Sequence, residues 1–122
     1  MGIKGKHLGE FEEMVLLAVG VLGNEAYGIS VKNKIEELTE RSVSMGALHA
    51  ALNRLEEKDF VKSKLGEATK VRGGKRKRFY SVTTFGQQEV TDLMAKRQQL
   101  WEAIPKEAFV VRWDPKSSGP NN

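Results

Sequence analysis

Two histidines, no cysteine and three adjacent glutamate pairs are the residues from which this 122-residue chain would have to build a catalytic or metal centre. His7 and His49 fall on different expected elements. Neither has a thiol or a paired carboxylate at a spacing that would serve acid–base work, a nucleophile or a metal ion. Glu12-Glu13, Glu36-Glu37 and Glu56-Glu57 stand side by side on expected helices. Neighbours on a helix point in different directions, so each pair reads as solvated surface. Gly73-Gly74-Lys75 has the look of a phosphate loop, but Thr69 and Arg76 occupy the places where that loop needs Gly and Ser or Thr. No enzyme, no metal and no cofactor is expected.

The chemistry that the spacing does support is the binding of a polyanion. Residues 1–60 hold seven Lys or Arg against ten Asp or Glu, residues 61–83 hold eight against one, and residues 84–122 balance at five against five. The whole positive excess of the chain therefore sits in one short segment, the footprint of a nucleic-acid contact. Its centre reads RGGKRKRFY, residues 72–80, with Arg72, Lys75, Arg76, Lys77 and Arg78 as the cations. A solvated loop would account for the charge alone. It would not account for Phe79, Tyr80 and Val82, which follow at once and look like residues that pack. The single Arg-Gly-Gly unit and the basic run 75–78 are too short to argue for a disordered RNA-binding segment or a localisation signal.

The elements that must position these cations follow from hydrophobic period. Phe11, Met14, Val15, Ala18 and Leu22 recur at three- and four-residue spacings, which predicts a helix over 11–22 closed by Gly23-Asn24. Leu16, Leu17, Val19 and Val21 widen its apolar surface, so a second subunit is expected on one side, met by Phe11 and Val15. After Gly28 a second helix carries the stripe Val31, Ile35 and Leu38. Ser44 is a natural cap for a third helix, 44–58, with Leu48, Leu52 and Leu55 inward. Its other face carries Gly46, Ala47, His49, Ala50, Asn53, Arg54 and Glu57, small and polar toward its start. Asp59 then stands where a left-handed cap is wanted.

Val61–Leu65 and Arg78–Val82 alternate as two strands, with the glycines 73 and 74 letting the chain reverse between them. The aromatic strand anchors the hairpin, and the cations ride on its loop. A last helix over 84–104, stopped by Pro105, lines up Val90, Leu93, Met94, Leu100, Trp101 and Ile104. Nothing left in the chain is long enough to cover that stripe, whereas a two-fold partner is. The fold expected is mainly α with a small β-hairpin (α+β). A winged helix-turn-helix over 1–83 is followed by a C-terminal dimerisation helix over 84–108 and a flexible tail over 109–122.

Composition agrees with one globular domain: 39% of residues are hydrophobic and 30% charged. The longest apolar run, 14–22, is about half of what a membrane span needs, and no signal peptide is visible, so a cytoplasmic protein without membrane contact is expected.

In order along the chain, LGEFEEMVLLAVGVLG, EAYGISV, SVSMGALHAALNRLEEKDFV and RGGKRKRFYSVTTFG resemble the PadR-like transcriptional regulators over residues 8–86. The resemblance implies a homodimer, usually a repressor, on a two-fold DNA operator, with the smaller branch of the family dimerising through one C-terminal helix. It implies DNA contacts from Tyr27, Ser44, Gly46, Ala47, His49, Asn53 and Arg54, and from the wing cations. The family generally has Thr and Tyr where this chain has Ala47 and His49, so direct readout here loses a hydroxyl and gains an imidazole. His49 is then either a base or phosphate contact or a surface residue beside the groove. Trp101 is either dimer packing or a wall of a site for a planar, apolar effector, because some relatives take aromatic ligands between subunits. A protein-binding winged-helix adaptor is the alternative to a double-stranded DNA regulator.

Overall fold

The computed structural model describes residues 7–67 and 76–109. Two compact units divide it, one up to Val90 and one from Thr91. The first unit is built from three helices and a hairpin. α1 is Glu10–Leu22, α2 is Gly28–Thr39, and α3 is Met45–Glu57. The strands β1, Val61–Leu65, and β2, Arg78–Val82, pair antiparallel with Val61 opposite Val82, Ser63 opposite Tyr80 and Leu65 opposite Arg78.

Each helix is delimited by local chemistry. Glu12 reaches back to the Gly9 N–H at 3.2 Å and starts α1, while Gly23, at φ 58°, ends it. Ser30 accepts from the Tyr27 N–H at 2.9 Å at the head of α2. Ser44 caps α3 as expected, accepting the Ala47 N–H at 3.1 Å. At its far end Asp59 takes the left-handed conformation, φ 70°, and the Phe60 and Asp59 N–H groups close onto the Leu55 and Glu56 carbonyls at 2.8 and 3.0 Å. Glu40 ends α2 in the same left-handed way, at φ 59°.

The core is filled by Val15, Leu16 and Val19 of α1, Val31 and Ile35 of α2, and Leu48, Leu52 and Leu55 of α3, closed from the hairpin side by Phe60, Val61 and Tyr80. Burial of each such leucine contributes about 1.5–3 kcal/mol. Tyr80 also ties the hairpin to the helices, its N–H donating to the Ala26 carbonyl at 2.8 Å, and Tyr27 forms a bridge with Phe79. The expected loop cations Arg72 and Lys75, and the glycines between them, lie outside the described residues.

α4, Thr84–Ala103, begins in this unit. Thr83 Oγ1 accepts the Gly86 N–H at 2.8 Å and caps the helix. Phe85 packs edge-on against Phe60 at 5.3 Å. Gly86 lies so close to the chain that a Cβ there would stand 2.2 Å from the Phe60 carbonyl oxygen. Phe85 and Val90 join the core, so the first unit runs past residue 83, where the sequence placed its end.

On the apolar faces the structure departs from what hydrophobic period predicts. Val15 is fully enclosed by the chain's own core, because α2 and α3 both pack on α1, and it has no surface for a partner. Phe11 is half-buried against that core under the Arg41 guanidinium, 5.1 Å away. The outward apolar residues of α1 are instead Leu17 and Val21. Leu38 is 62% exposed, since the last turn of α2 runs beyond the stripe that Val31 and Ile35 bury.

In the second unit α4 continues to Ala103, and Pro105 precedes a short α5, Lys106–Phe109. Phe109 thus ends a helix rather than opening a tail. Its ring lies 6.3 Å from that of Trp101. Residues 110–122 lie outside the described residues.

Candidate nucleic-acid interface

The face of α3 turned away from Leu48, Leu52 and Leu55 is exposed throughout: Gly46, Ala47, His49, Ala50, Asn53 and Arg54 all lie on it. Small residues toward its start leave the helix backbone open to close approach, and Asn53 and Arg54 place on it an amide and a guanidinium, groups suited to base edges and phosphates. Ser44 is spent on the helix cap, which fixes where that face begins.

The start of α2 abuts this face. A Cβ on Gly28 would come within 3.3 Å of His49 Cε1 and 3.2 Å of the Met45 methyl, so His49 lies over the head of α2. Next to Gly28, Tyr27 packs edge-on against Phe79 at 5.5 Å, and Lys77 Nζ stands 4.1 Å above the Tyr27 ring. This cation–π contact holds a wing cation at the helix side of the hairpin. Gly66 gives Phe79 its place, since a Cβ there would meet that ring at 2.8 Å. Among the candidates, His49, Tyr27 and Lys77 are thereby brought into one neighbourhood.

Arg76 and Arg78 remain exposed but are guided by the strands. Arg76 Nε donates to the Gly66 carbonyl at 2.8 Å. Arg78 donates to Ser63 Oγ at 3.1 Å, and that hydroxyl donates to Glu56 at 2.9 Å.

One residue of this region escaped the sequence reading. Glu12, read there as solvated surface with Glu13, is only 6% exposed and is the one buried charged side chain among the described residues. Arg54 Nε and Lys58 Nζ each donate to it at 2.6 Å, on different oxygens. Burial works against its ionisation. The hydrogen bonds from Lys58, then Arg54 and the Gly9 N–H, outweigh it and hold the carboxyl below its ordinary value. Its partners lie more than forty positions along the chain. The available signal was an acid inside the apolar stripe of one helix and two bases one turn apart on another. Glu36 also titrates below its ordinary value, because it accepts the Val43 N–H at 2.9 Å and pairs with Lys32, bracing the turn into α3.

The residues assigned to a subunit contact divide. Val90 is half-buried on its own core. Leu93, Met94 and Ile104 are half-buried, while Leu100 and Trp101 are 72% and 64% exposed. A cleft of about 620 Å³ beside the hairpin is lined by Asn24, Lys62, Lys64 and Phe79, and Trp101 has no part in it. The described residues contain no cluster of His, Asp or Glu fit for a metal ion, and no helix among them is long and apolar enough to cross a membrane.

Three helices, an antiparallel hairpin after the third, and an open polar face on that third helix define a winged helix-turn-helix protein of the α+β class. A sequence model of the transcriptional regulator PadR-like family matches residues 16–92. The chain belongs to that family, and it is a DNA-binding transcription regulator. A comparison with curated protein sequences gives no match. Among solved structures, a transcriptional regulator from Clostridium thermocellum is 22% identical, with a TM-score of 0.62 over 82% of this chain and 90% of that one. A PadR family regulator from Clostridium difficile is 23% identical, with a TM-score of 0.60 over 73% and 91%. A PadR-like regulator from Bacillus cereus is 15% identical, with a TM-score of 0.64 over 85% and 93%. At these identities the likeness is one of fold, and it covers most of each relative's length.

Proposed function

We propose that the chain is a cytoplasmic repressor that binds a two-fold operator as a homodimer, with α3 in the major groove and the basic wing on the backbone or the adjoining minor groove. The observation that carries this reading is the exposed face Gly46–Ala47–His49–Ala50–Asn53, joined through Gly28 and Tyr27 to Lys77 at the base of the wing. A major groove admits a helix with such a face, and cations at its flank meet phosphates. Leu100 and Trp101, exposed on the last helix, supply apolar surface for a second copy. Selection of bound duplexes from a random pool tests the reading as a whole. Two inverted half-sites about one helical turn apart, or a multiple of it, are expected. A pool that returns no enriched sequence would favour a protein-binding adaptor.

The exposure of Trp101 also favours a planar, apolar effector held between two such rings at the dimer axis. In a Trp113→Phe background, titration with planar dyes is expected to quench the Trp101 fluorescence saturably and to weaken operator binding. Saturable binding that survives Trp101→Ala returns the residue to packing.

A further inference from the structure

Arg54 is the one candidate contact on the α3 face whose charge is already claimed. It gives Nε to Glu12, yet its side chain remains half exposed, and its two terminal nitrogens have no hydrogen bond among the described residues. A guanidinium has two usable edges, and the bond through Nε takes one of them. The outer pair of N–H groups stays free to bracket a phosphate. Glu12 fixes the plane of the group before any DNA arrives, so little side-chain freedom is left to lose on binding.

A lone Glu–Arg pair would be of little use to DNA, because its charges cancel. Lys58 changes that. It sits on the other carboxylate oxygen at 2.6 Å, its side chain is 14% exposed, and it also donates to the His7 carbonyl at 2.7 Å. One buried carboxylate therefore faces two cations. The inner one is enclosed, and the surplus positive charge falls to the outer one, Arg54.

We propose that Glu12 is a positioning residue for DNA binding: with Lys58 as its buried counter-charge, it holds Arg54 on edge so that the outer guanidinium nitrogens grip a backbone phosphate. This deepens the proposed use of α3 on DNA and rests on it. The arrangement assigns a task in recognition to a side chain of α1 that never reaches the duplex.

The test measures binding of a dye-labelled 30-base-pair duplex of mixed sequence against salt, for the full chain and for Arg54→Ala, Arg54→Lys, Glu12→Gln and Glu12→Gln/Arg54→Ala, with thermal melting of each. Arg54→Ala is expected to lower the slope of log K against log salt by about 0.9 per subunit, one phosphate contact. Glu12→Gln is expected to lower it in the same direction, and the double variant to go no lower than Arg54→Ala alone. Arg54→Lys is expected to lie between Arg54→Ala and the unaltered chain, because a lysine that pairs with Glu12 keeps spare N–H groups but no planar outer edge held on a phosphate. Should Glu12→Gln fail to melt cooperatively, Arg54→Lys, which keeps the Glu12–Lys58 pair, decides. A full wild-type slope in Arg54→Lys, or in Glu12→Gln with only its melting lowered, overturns the inference and leaves Glu12 as a tie between helices. If the unaltered chain does not bind the duplex at all, it is the DNA-binding use of α3 that fails.

Discussion

α1 and the second half of α4 both carry apolar side chains, more densely on α1, but the chain does opposite things with them. Around α1, helices α2 and α3 and the strand β2 close on Val15, Leu16 and Val19 until nothing of those side chains meets water. Along residues 91–103 of α4 the described chain supplies no such wrapping for Leu100 and Trp101. An apolar stripe in a sequence therefore says that burial is wanted and leaves open who provides it. Packing geometry decides, and α1 has both α2 and α3 packed on it.

Substitutions sharpen that contrast. Leu16→Ala removes atoms from a filled site and should cost roughly 2–5 kcal/mol in urea unfolding, by the same amount at every protein concentration. Placing charge in the other region with Leu93→Glu and Leu100→Glu should instead act through association. Light scattering is expected to report monomers, and DNA binding to fall with them. Were Leu16→Ala to show a concentration-dependent cost, the two regions would not be distinct.

Glycines make a second version of the comparison. A methyl on Gly86 would strike the Phe60 carbonyl, so Gly86→Ala should cost about 1–3 kcal/mol or more as α4 is pushed off the core. On α1 a methyl at Gly20 meets nothing within 4 Å, and Gly20→Ala should stabilise by about 0.5–1 kcal/mol through helix propensity alone.

A pH experiment separates the ionic tie on α1 from its apolar packing. The folded pKa of Glu12 is depressed, so the stability it supplies is present above its unfolded value and is lost as pH falls through the folded one. Between pH 5 and pH 3, roughly the window below an ordinary carboxyl, the chain should lose more stability than Glu12→Gln does. Equal losses would put the acid sensitivity elsewhere.

Much of the fold was legible because local rules and tertiary needs agree. Ser44 caps where a capping residue was read, Val61–Leu65 and Arg78–Val82 are the strands expected, and Asp59 adopts the left-handed turn. The face of α3 was legible for the same reason, since a strong stripe of leucines fixes what lies opposite. Val15 and Leu38 were misplaced because periodicity gives a direction around a helix without saying how far a neighbouring helix extends along it. Glu12 was missed because its meaning depends on Arg54 and Lys58, brought beside it only by the packing of α1 on α3. Local spacing cannot distinguish such an acid from a solvated one.

Glu40 closes α2 in a conformation that suits glycine and costs most other residues about 1–2 kcal/mol, and it sets a carboxylate at the helix end that favours positive charge. For protein engineering this marks unspent reserve. An asparagine or glycine at position 40 would ease both the backbone and the electrostatics in the short connection between α2 and α3, leaving a margin against which bolder changes on the exposed face of α3 could be tolerated.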